Sequence, residues 1–211
     1  GDIGPLTGEM GTLIYWSEPN PIFKATLEKL KDDLKNSGYR GYVDVNCIAN
    51  ARGIYPLETT MRFGYPTISI QMEGITNEWG EFLYALAKGE PFELKTKKGF
   101  QVGIVCAVPP FPYKDKSAIK IYRDLSILFK KPNFEGIHLG EVKLVDNEWR
   151  IAGYTGYALV VTGSGITVRD ARKQTLVRIN NIMLQGMFYR TDIGLGWYED
   201  SDKLQTWGYF Y

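Results

Sequence analysis

Polar and apolar residues alternate along two neighbouring stretches in the first third of the chain. The stretch 42–47, YVDVNC, has the period of two that is typical of a strand with one apolar face. In a second strand-like run, Glu58, Thr60 and Arg62 fall on one face. A turn at 49–53, ANARG, separates the two runs, so the pattern predicts an antiparallel hairpin.

A symmetric hairpin centred on Ala51 places Asp44 opposite Glu58, because the two are equally far from the centre. Opposed side chains in an antiparallel pair lie roughly 4.5–5.5 Å apart at Cβ, and like charges there destabilise the pair. One explanation is a hard divalent cation such as Mg²⁺, which one or two carboxylates hold together with substrate phosphates. The other is an ion pair with an arginine nearby in the sequence. The candidate arginines are Arg40, Arg52 and Arg62.

Apolar residues recur at helical spacing in three further stretches, which predict helices over 20–38, 76–89 and 167–186. In the first of them, Asn20 suits the N-cap and Pro21 suits the first helical position. A glycine stands at the predicted end of all three helices.

After residue 99 the pattern is mainly that of short strands, separated by glycine and proline. The predicted strands are 100–110, 136–140, 141–145, 148–153 and 157–163. Together with the helices they predict an α+β fold. We place a domain boundary near 88, with one domain over 1–87 and a second over 88–211.

Composition excludes several classes of function. The 25 basic and 24 acidic residues give a formal net charge of +1, without the basic surplus of a nucleic-acid-binding surface. No run approaches the roughly 20 apolar residues of a membrane helix, and no signal peptide is visible. Cys47 and Cys106 lie in apolar runs and are predicted to be buried, reduced thiols. We expect a cytoplasmic protein with neither nucleic-acid nor membrane partners.

His138 is the one histidine of the chain and lies in a short strand-like run. Without a second histidine or a nearby thiol, a metal site built on it is not expected. A structural hydrogen bond is the preferred interpretation, and a catalytic base is the alternative.

Three separated stretches carry motifs in a fixed order. The first is the glycine-rich GPLTGEMG at 4–11, and the second is LETTMRFGYPT at 57–67. The third runs from EGIHLGEV at 135–142 through YALVVTGSGITVRDAR at 157–172 to MFYRTDIG at 187–194. Together they resemble phosphoribosylamine–glycine ligase, an ATP-grasp family with a GPNTGGMG loop and an LEFNARFGDPE signature.

The resemblance implies that residues 1–87 form the second subdomain of an ATP-grasp fold, an antiparallel sheet with helices. Residues 88–211 would then form a small, mainly β C-terminal domain with one long helix. The family joins glycine to 5-phosphoribosylamine through an acyl phosphate in de novo purine synthesis, and converts ATP to ADP and phosphate. The implied cofactor is Mg²⁺ (or Mn²⁺), and the implied substrates are ATP, glycine and phosphoribosylamine.

The resemblance also assigns roles to individual residues. Glu58 and Thr60 match the metal-binding positions, and Asp44 matches an acidic position that many other ATP-grasp enzymes use on the preceding strand. Leu57 and Glu58 are the implied nucleotide-binding residues. Arg62, whose guanidinium suits a carboxylate or phosphate, is the implied catalytic residue. The implied substrate-binding residues are Thr7, Gly8, Met10, Gly11, Arg62 and Gly64.

Four positions depart from the family motifs. Thr60 replaces the metal-binding asparagine, Tyr65 replaces an aspartate and Thr67 replaces a glutamate. Glu9 replaces a glycine of the loop and adds negative charge where the substrates are anionic. These changes leave open an ATP-grasp ligase that acts on a different amine or acid.

In the family, a substrate domain and a nucleotide lid precede the glycine-rich loop, whereas this chain begins at that loop. We therefore expect a fragment or split subunit, inactive until the missing N-terminal half is supplied in cis or by another chain. A non-catalytic binding or assembly module derived from such a ligase is the remaining alternative.

Overall fold

The computed structural model describes residues 4–210. Its strands are β1 (Gly11–Tyr15), β2 (Asp44–Asn50), β3 (Gly53–Thr60), β4 (Phe100–Ala107), β5 (Leu128–Phe129), β6 (Ile137–Leu139), β7 (Val142–Val145), β8 (Glu148–Ile151), β9 (Tyr157–Gly165) and β10 (Ile182–Met183). Its α-helices are α1 (Pro21–Ala25), α2 (Lys31–Asn36), α3 (Thr67–Gly74), α4 (Trp79–Lys88), α5 (Ile119–Tyr122), α6 (Val168–Asn180) and α7 (Trp197–Thr206). A 3-10 turn at Leu27–Leu30 joins α1 to α2.

A four-stranded antiparallel sheet with the order β1-β4-β9-β6 forms the centre of the fold. Its middle strands, β4 and β9, are buried along most of their length, because helices cover both faces of the sheet. Ile70 of α3 packs on Gly103, where an added Cβ would lie 2.3 Å from Ile70 Cγ1. On the other face, Ala171 and Ile179 of α6 pack against Val102 and its neighbours.

This central sheet joins residues from both sides of the predicted boundary at 88. Strand β1 precedes that position and pairs with β4, which follows it. The two predicted domains thus share one sheet, and the division into 1–87 and 88–211 stays a prediction. The antiparallel strands and the one long helix of the second half, α6, agree with the α+β class expected from the sequence.

The predicted hairpin is present as β2 and β3, but its predicted symmetric register was wrong. Asp44 is paired with Thr60, and Asn46 is paired with Glu58. Two features cause the shift. The turn contains two residues, at 51–52, instead of being centred on one residue, and this moves the pairing by one position. A bulge between Asn46 and Cys47 moves it by one more. Because the two shifts add to an even number, Asp44 and Glu58 still lie on the same face of the hairpin.

The predicted helix over 20–38 was correct at its start and wrong in its continuity. Asn20 Oδ1 accepts a hydrogen bond of 2.9 Å from the Phe23 amide, which confirms the N-cap. The helix is interrupted at Thr26, whose hydroxyl donates to the Ile22 carbonyl at 2.7 Å. Such a bond from a side chain to the preceding turn competes with regular helix geometry.

The predicted helix over 167–186 begins as expected and ends early. Thr167 caps it by accepting a hydrogen bond of 3.2 Å from the Asp170 amide. It ends at Asn180, because Ile182 and Met183 pair with β5.

A buried network of charges joins α3 to the central sheet and to α6. Glu73 Oε2 accepts hydrogen bonds from Arg178 Nη1 at 2.9 Å and from Thr162 Oγ1 at 3.0 Å. Its other oxygen accepts from Lys97 Nζ at 2.8 Å and from Ser164 Oγ at 2.9 Å. The side chains of Glu73 and Arg178 are only 6% and 8% exposed, so this pair is well shielded from water.

His138 belongs to the edge of the same network. Its Nε2 lies 3.1 Å from Thr162 Oγ1, so the expected structural hydrogen bond is confirmed. Burial lowers the pKa of His138, with an opposing contribution from Glu73. The ring is therefore neutral at physiological pH.

Both cysteines are free thiols, but only one of them is fully enclosed. Cys106 lies in the core, and burial raises the pKa of its thiol to about 12. Cys47, on the hairpin, is half-buried rather than buried as predicted. Within residues 4–210, no helix has the length and apolar character needed to cross a membrane.

Candidate functional site

One face of the hairpin carries the oxygen-bearing side chains that the sequence singled out. Asp44 and Asn46 of β2 share this face with Glu58 and Thr60 of β3, since paired residues and alternate residues point the same way. Asn46 Nδ2 donates a hydrogen bond of 2.9 Å to Glu58 Oε1. The amide therefore orients the carboxylate without neutralising its charge.

Asp44 and Glu58 are diagonal neighbours on this face, not directly opposed. Diagonal neighbours in an antiparallel pair are roughly 7–8 Å apart, close enough for one long side chain to reach toward the other. The repulsion inferred from a directly opposed pair is thus weaker than the sequence suggested.

The alternative explanation, in which an arginine neutralises these acids, is not seen. None of the ion pairs among residues 4–210 includes Asp44 or Glu58. Arg62 is exposed, and its Nη1 donates to the Phe63 carbonyl at 3.0 Å. Arg40 lies against Gly89, and Arg52 is exposed in the hairpin turn. Both carboxylates are consequently left without a basic partner in this part of the chain.

Three buried oxygens in the region have no hydrogen-bond partner among the described residues. They are Oγ1 of Thr60, Oε1 of Glu9 and the hydroxyl of Tyr157. A buried polar atom without a partner is costly and calls for an explanation such as a bound ion or water. Because Thr60 is paired with Asp44, its hydroxyl is an oxygen donor on the same face as the two acids.

These donors fit Mg²⁺ or Mn²⁺ bound together with a nucleotide. Carboxylate and hydroxyl oxygens suit a hard cation, and Mg²⁺ is commonly held by one or two carboxylates plus substrate phosphates. Residues 4–210 contain no cluster of three acidic, histidine or cysteine side chains that could hold a metal alone. A cation held by these donors would need further oxygen ligands, such as water or phosphate oxygens.

The residues after β3 bring Gly64 next to this face. Gly64 is buried, and an added Cβ would lie 3.0 Å from Thr67 Oγ1 and 3.8 Å from Asp44 Oδ2. Leu57 is the residue that the hairpin bulge leaves unpaired, and it is 64% exposed beside Glu58. Gly64 and Leu57 are thus adjacent to the acids, whereas the Arg62 side chain points to solvent.

The glycine-rich loop leads into the central sheet at a point where only glycine fits. Gly11 has φ of +136°, and an added Cβ would lie 2.3 Å from the Gly103 carbonyl oxygen. The Met10 carbonyl accepts a hydrogen bond of 3.0 Å from the Val105 amide, which fixes the end of the loop. Gly8 is exposed, with open space where a Cβ would be.

A cavity of about 380 Å³ lies beneath this loop. Thr7 and Met10 line it from the loop, and Phe111, Phe188 and Arg190 line it from the second half of the chain. Two stretches that carry the family resemblance, the glycine-rich loop and MFYRTDIG, therefore meet around one cavity. The structure brings Thr7 and Met10 together here, and none of Asp44, Glu58 and Thr60 lines this cavity.

Arg190 is a residue of this cavity to which the sequence gave no role. Its Nε donates a hydrogen bond of 2.9 Å to Asp192 Oδ1, and this pairing lowers the pKa of the Asp192 carboxyl. The sequence did contain a signal for it, because Arg190 lies in MFYRTDIG, one of the stretches that resemble the family. The loop residues Thr7 and Met10, which line the cavity with it, are at least 180 positions away in the sequence, so this proximity could not be predicted from that stretch.

Glu9 connects the loop to the hairpin electrostatically. Burial, and secondarily the charge of Asp44, raise the pKa of Glu9 from 4.5 to about 6. Burial, followed by the charges of Tyr65 and Glu9, raises the pKa of Tyr157. The departure of Glu9 from the family glycine thus places a third carboxylate close to the acidic face of the hairpin.

The raised pKa of Glu9 predicts a pH-dependent cost to stability. Folding favours protonated Glu9, so the folded chain binds more protons than the unfolded chain between pH 4.5 and about 6. Stability from this residue is therefore lost as pH rises through that window. Glu9→Gln should remove the loss, and urea unfolding of both forms at pH 4.5 and pH 6.5 measures it. Parallel pH profiles for the two forms would contradict the prediction.

Comparisons with known proteins point to one named enzyme and one fold. No protein-family model matches the chain. Curated bacterial proteins named phosphoribosylamine–glycine ligase match 92% of it at 24–28% identity. The protein of that name from Thermotoga maritima is 28% identical over 209 residues, which are 48% of its own length. The chain thus spans about half the length of the curated relatives that it matches.

Solved structures show the fold. The crystal structure of phosphoribosylamine–glycine ligase from Thermotoga maritima matches 92% of this chain and 48% of that one, with a TM-score of 0.67 and 23% identity. The biotin carboxylase domain of Hydrogenobacter thermophilus 2-oxoglutarate carboxylase, solved with MgADP and bicarbonate, covers 88% of this chain and 43% of that domain. Its TM-score is 0.52 and its identity is 14%.

The resemblance seen in the sequence is therefore confirmed. The chain has an ATP-grasp fold and is similar to the corresponding half of phosphoribosylamine–glycine ligases. The roles assigned to individual side chains stay predictions.

Proposed function

We propose that this chain is the part of an ATP-dependent carboxylate–amine ligase that holds the cation and the acceptor substrates. The observation that carries the proposal is the shared face of Asp44, Glu58 and Thr60, which offers hard oxygen donors without a basic partner. The relatives named phosphoribosylamine–glycine ligase support glycine and 5-phosphoribosylamine as the substrates.

In this proposal the hairpin binds the phosphates of ATP through a divalent cation. Asp44, Glu58 and Thr60 hold Mg²⁺ or Mn²⁺, with Asn46 keeping the Glu58 carboxylate in place. A cation held by these residues would neutralise charge on the phosphates and would help to orient the γ-phosphoryl group. Leu57, exposed beside Glu58, supplies an apolar surface to the nucleotide.

The proposed reaction has two steps. The glycine carboxylate attacks the γ-phosphorus, the bond to ADP breaks, and an acyl phosphate forms. The amine of phosphoribosylamine attacks the acyl carbon, the C–N bond forms, and inorganic phosphate leaves as the amine loses a proton. Arg62 is proposed to bind the reacting carboxylate or phosphoryl oxygens, for which a guanidinium is suited. Thr7, Gly8, Met10, Gly11 and Gly64 are proposed to line the acceptor site.

The remaining nucleotide contacts are proposed to come from a second half. This chain matches about half of each relative, and Asn46 and Glu58 on the hairpin face are exposed. A lid that covers the nucleotide would be supplied in the same polypeptide or by another chain. On that reading the 211-residue chain alone is inactive.

A different amine or acid substrate is the second candidate, and the buried carboxylate of Glu9 favours it. Its charge lies close to the acidic face of the hairpin, in a loop proposed to receive anionic substrates. Tyr65 adds a second difference, since its ring packs on Tyr157 at a centroid distance of 5.1 Å. Both features alter the polarity of the acceptor site relative to the family motif.

An assay of the chain combined with its second half tests the proposal. Release of ADP should require glycine and phosphoribosylamine together, and it should stop when EDTA removes the divalent cation. ATP binding without glycine-dependent ADP release would favour the second candidate. A combined protein that binds no ATP would contradict both candidate ligase functions. It would favour the remaining alternative, a non-catalytic binding or assembly module.

A further inference from the structure

We propose that residues 195–210 form a brace that fixes the orientation of the β2–β3 hairpin, with Tyr209 as its positioning residue. The effect of this brace on nucleotide binding rests on the function proposed above. Its effect on the hairpin itself does not depend on that function and can be measured separately.

The brace is attached to the central sheet by aromatic packing. The ring of Trp197 lies 5.0 Å from that of Tyr15 on β1 and 5.4 Å from that of Phe100 on β4, measured between centroids. Phe210, at the other end of the brace, packs on Tyr15 at 5.8 Å and on Trp197 at 6.0 Å. Both ends of the brace therefore meet in one aromatic cluster on the sheet.

The entry of the chain into the brace is also fixed. Arg172 of α6 donates a hydrogen bond from Nε to the Ile193 carbonyl at 2.7 Å and one from Nη2 to the Thr191 carbonyl at 2.6 Å. Bonds from a charged donor to a carbonyl are among the stronger ones in proteins. The start of the brace is thus tied to the helix that covers the sheet.

From this base, Tyr209 reaches the tip of the hairpin. Its hydroxyl donates a hydrogen bond of 2.9 Å to the carbonyl of Asn50, the last residue of β2. Asn50 itself orders the turn, because its Oδ1 accepts a hydrogen bond of 2.8 Å from the Arg52 amide. Tyr209 also lines a cavity of about 440 Å³ between the hairpin and the helices that follow β1. Among the described residues, this is the one hydrogen bond from outside the hairpin to residues 48–55.

The hairpin needs such support, since β2 and β3 pair only with each other within residues 4–210. A two-stranded hairpin alone is marginally stable in water. Its base is held separately, where Tyr42 stacks on Phe63 at 4.5 Å and the Tyr39 hydroxyl donates to the Tyr42 carbonyl at 2.8 Å. Tyr209 supplies the corresponding hold at the tip.

Holding the tip controls the direction of the whole strand. Asn50 and Asp44 are at opposite ends of β2, and six residues of strand span about 20 Å. A tilt about the base would therefore move the tip most. It would leave the Asp44–Thr60 pair near the pivot and shift Glu58, which lies one pair of that face further along, relative to the loop that contains Glu9. The brace thus keeps the Glu58 carboxylate in one position before any nucleotide binds.

Hydrogen exchange of the 211-residue chain, without nucleotide, tests this. Tyr209→Phe removes the hydroxyl and keeps the ring, and Tyr209→Ala removes both. Amides of residues 48–55 should exchange about three times faster in the first variant and about tenfold faster in the second. Amides of β4 and β9 should keep their protection. Tyr198→Ala is the matched control, because Tyr198 lies in the same brace and is 53% exposed.

Unchanged exchange at 48–55 in Tyr209→Ala would overturn the brace, and so would an equal increase in β4 and β9, which would indicate general destabilisation. Titration of Mg·ATP provides the second readout, with an expected three- to tenfold loss of affinity for Tyr209→Ala and none for Tyr198→Ala. If the wild-type protein binds no Mg·ATP, the proposed function fails, and the exchange result alone decides the brace.

Discussion

Replacing Glu73 by alanine is expected to lower the free energy of unfolding by about 3 kcal/mol, because it leaves the guanidinium of Arg178 buried without its main partner. Glu73 and Arg178 are 6% and 8% exposed, and Glu73 accepts four hydrogen bonds, from α6, from β9 and from Lys97 in the segment before β4. Removing one member of a buried pair costs more than the pair itself contributes. Urea unfolding monitored by circular dichroism measures the change.

Two variants make this prediction specific. Glu135 also pairs with Arg178, but its side chain is 68% exposed, so Glu135→Ala should cost less than about 1 kcal/mol. Replacing both Glu73 and Arg178 by methionine should recover much of the loss, since no charge is then left buried. Equal losses for Glu73→Ala and Glu135→Ala would show that burial does not determine the strength of this network.

The same network predicts a loss of stability in acid. Burial acts to raise the pKa of Glu73, but hydrogen bonds and charges from Lys97, Arg178 and Ser164 outweigh it and lower that pKa below its ordinary value of 4.5. The ionised carboxylate therefore stabilises the fold above pH 4.5, and this contribution disappears as pH falls through the lowered value. In Glu73→Ala that part of the acid dependence should be missing.

Replacing Glu58 by alanine is expected to weaken the binding of Mg·ATP by roughly ten- to a hundredfold, which corresponds to about 1.4–2.8 kcal/mol. Glu58 is exposed on the hairpin and Asn46 orients one of its oxygens, so its removal deletes a cation ligand without opening the core. Isothermal titration of the protein combined with the proposed second half, at fixed Mg²⁺ concentration, measures the affinity.

Glu90→Ala is the matched control for this change. Glu90 is an exposed glutamate after α4, so its replacement removes the same charge elsewhere on the surface. It should leave the affinity unchanged, and EDTA should abolish binding in all variants. Equal affinities of wild type and Glu58→Ala for Mg·ATP would show that Glu58 is not a ligand of the cation.

The sequence predicted which side chains share a face of the hairpin, because a period of two depends only on local alternation. It did not predict the register. The two-residue turn and the bulge at 46–47 each moved the pairing by one position, and neither has a strong signal in ANARG or in the strands. Asp44 therefore faces Thr60, and the separation of the two acids was underestimated.

Contacts between distant residues were beyond the reach of the sequence. Glu73 and Arg178 are separated by 105 positions, and each lies in a helix whose apolar pattern says nothing of a buried charge. Tyr209 and Asn50 are 159 positions apart, and Tyr209 lies in a C-terminal segment without resemblance to the family motifs. Burial and pairing of such groups follow from how the elements pack, which local pattern does not encode.

The most direct test of the cation site uses Mn²⁺ in place of Mg²⁺, with the combined protein and ATP, and follows paramagnetic broadening of the backbone amide signals by NMR. We expect the signals of residues 44–46 and 58–60 to broaden only when Mn²⁺ and ATP are both present, and we expect Glu58→Ala to reduce the effect. Bound nucleotide and Mn²⁺ that leave these signals sharp, and broaden others instead, would contradict it.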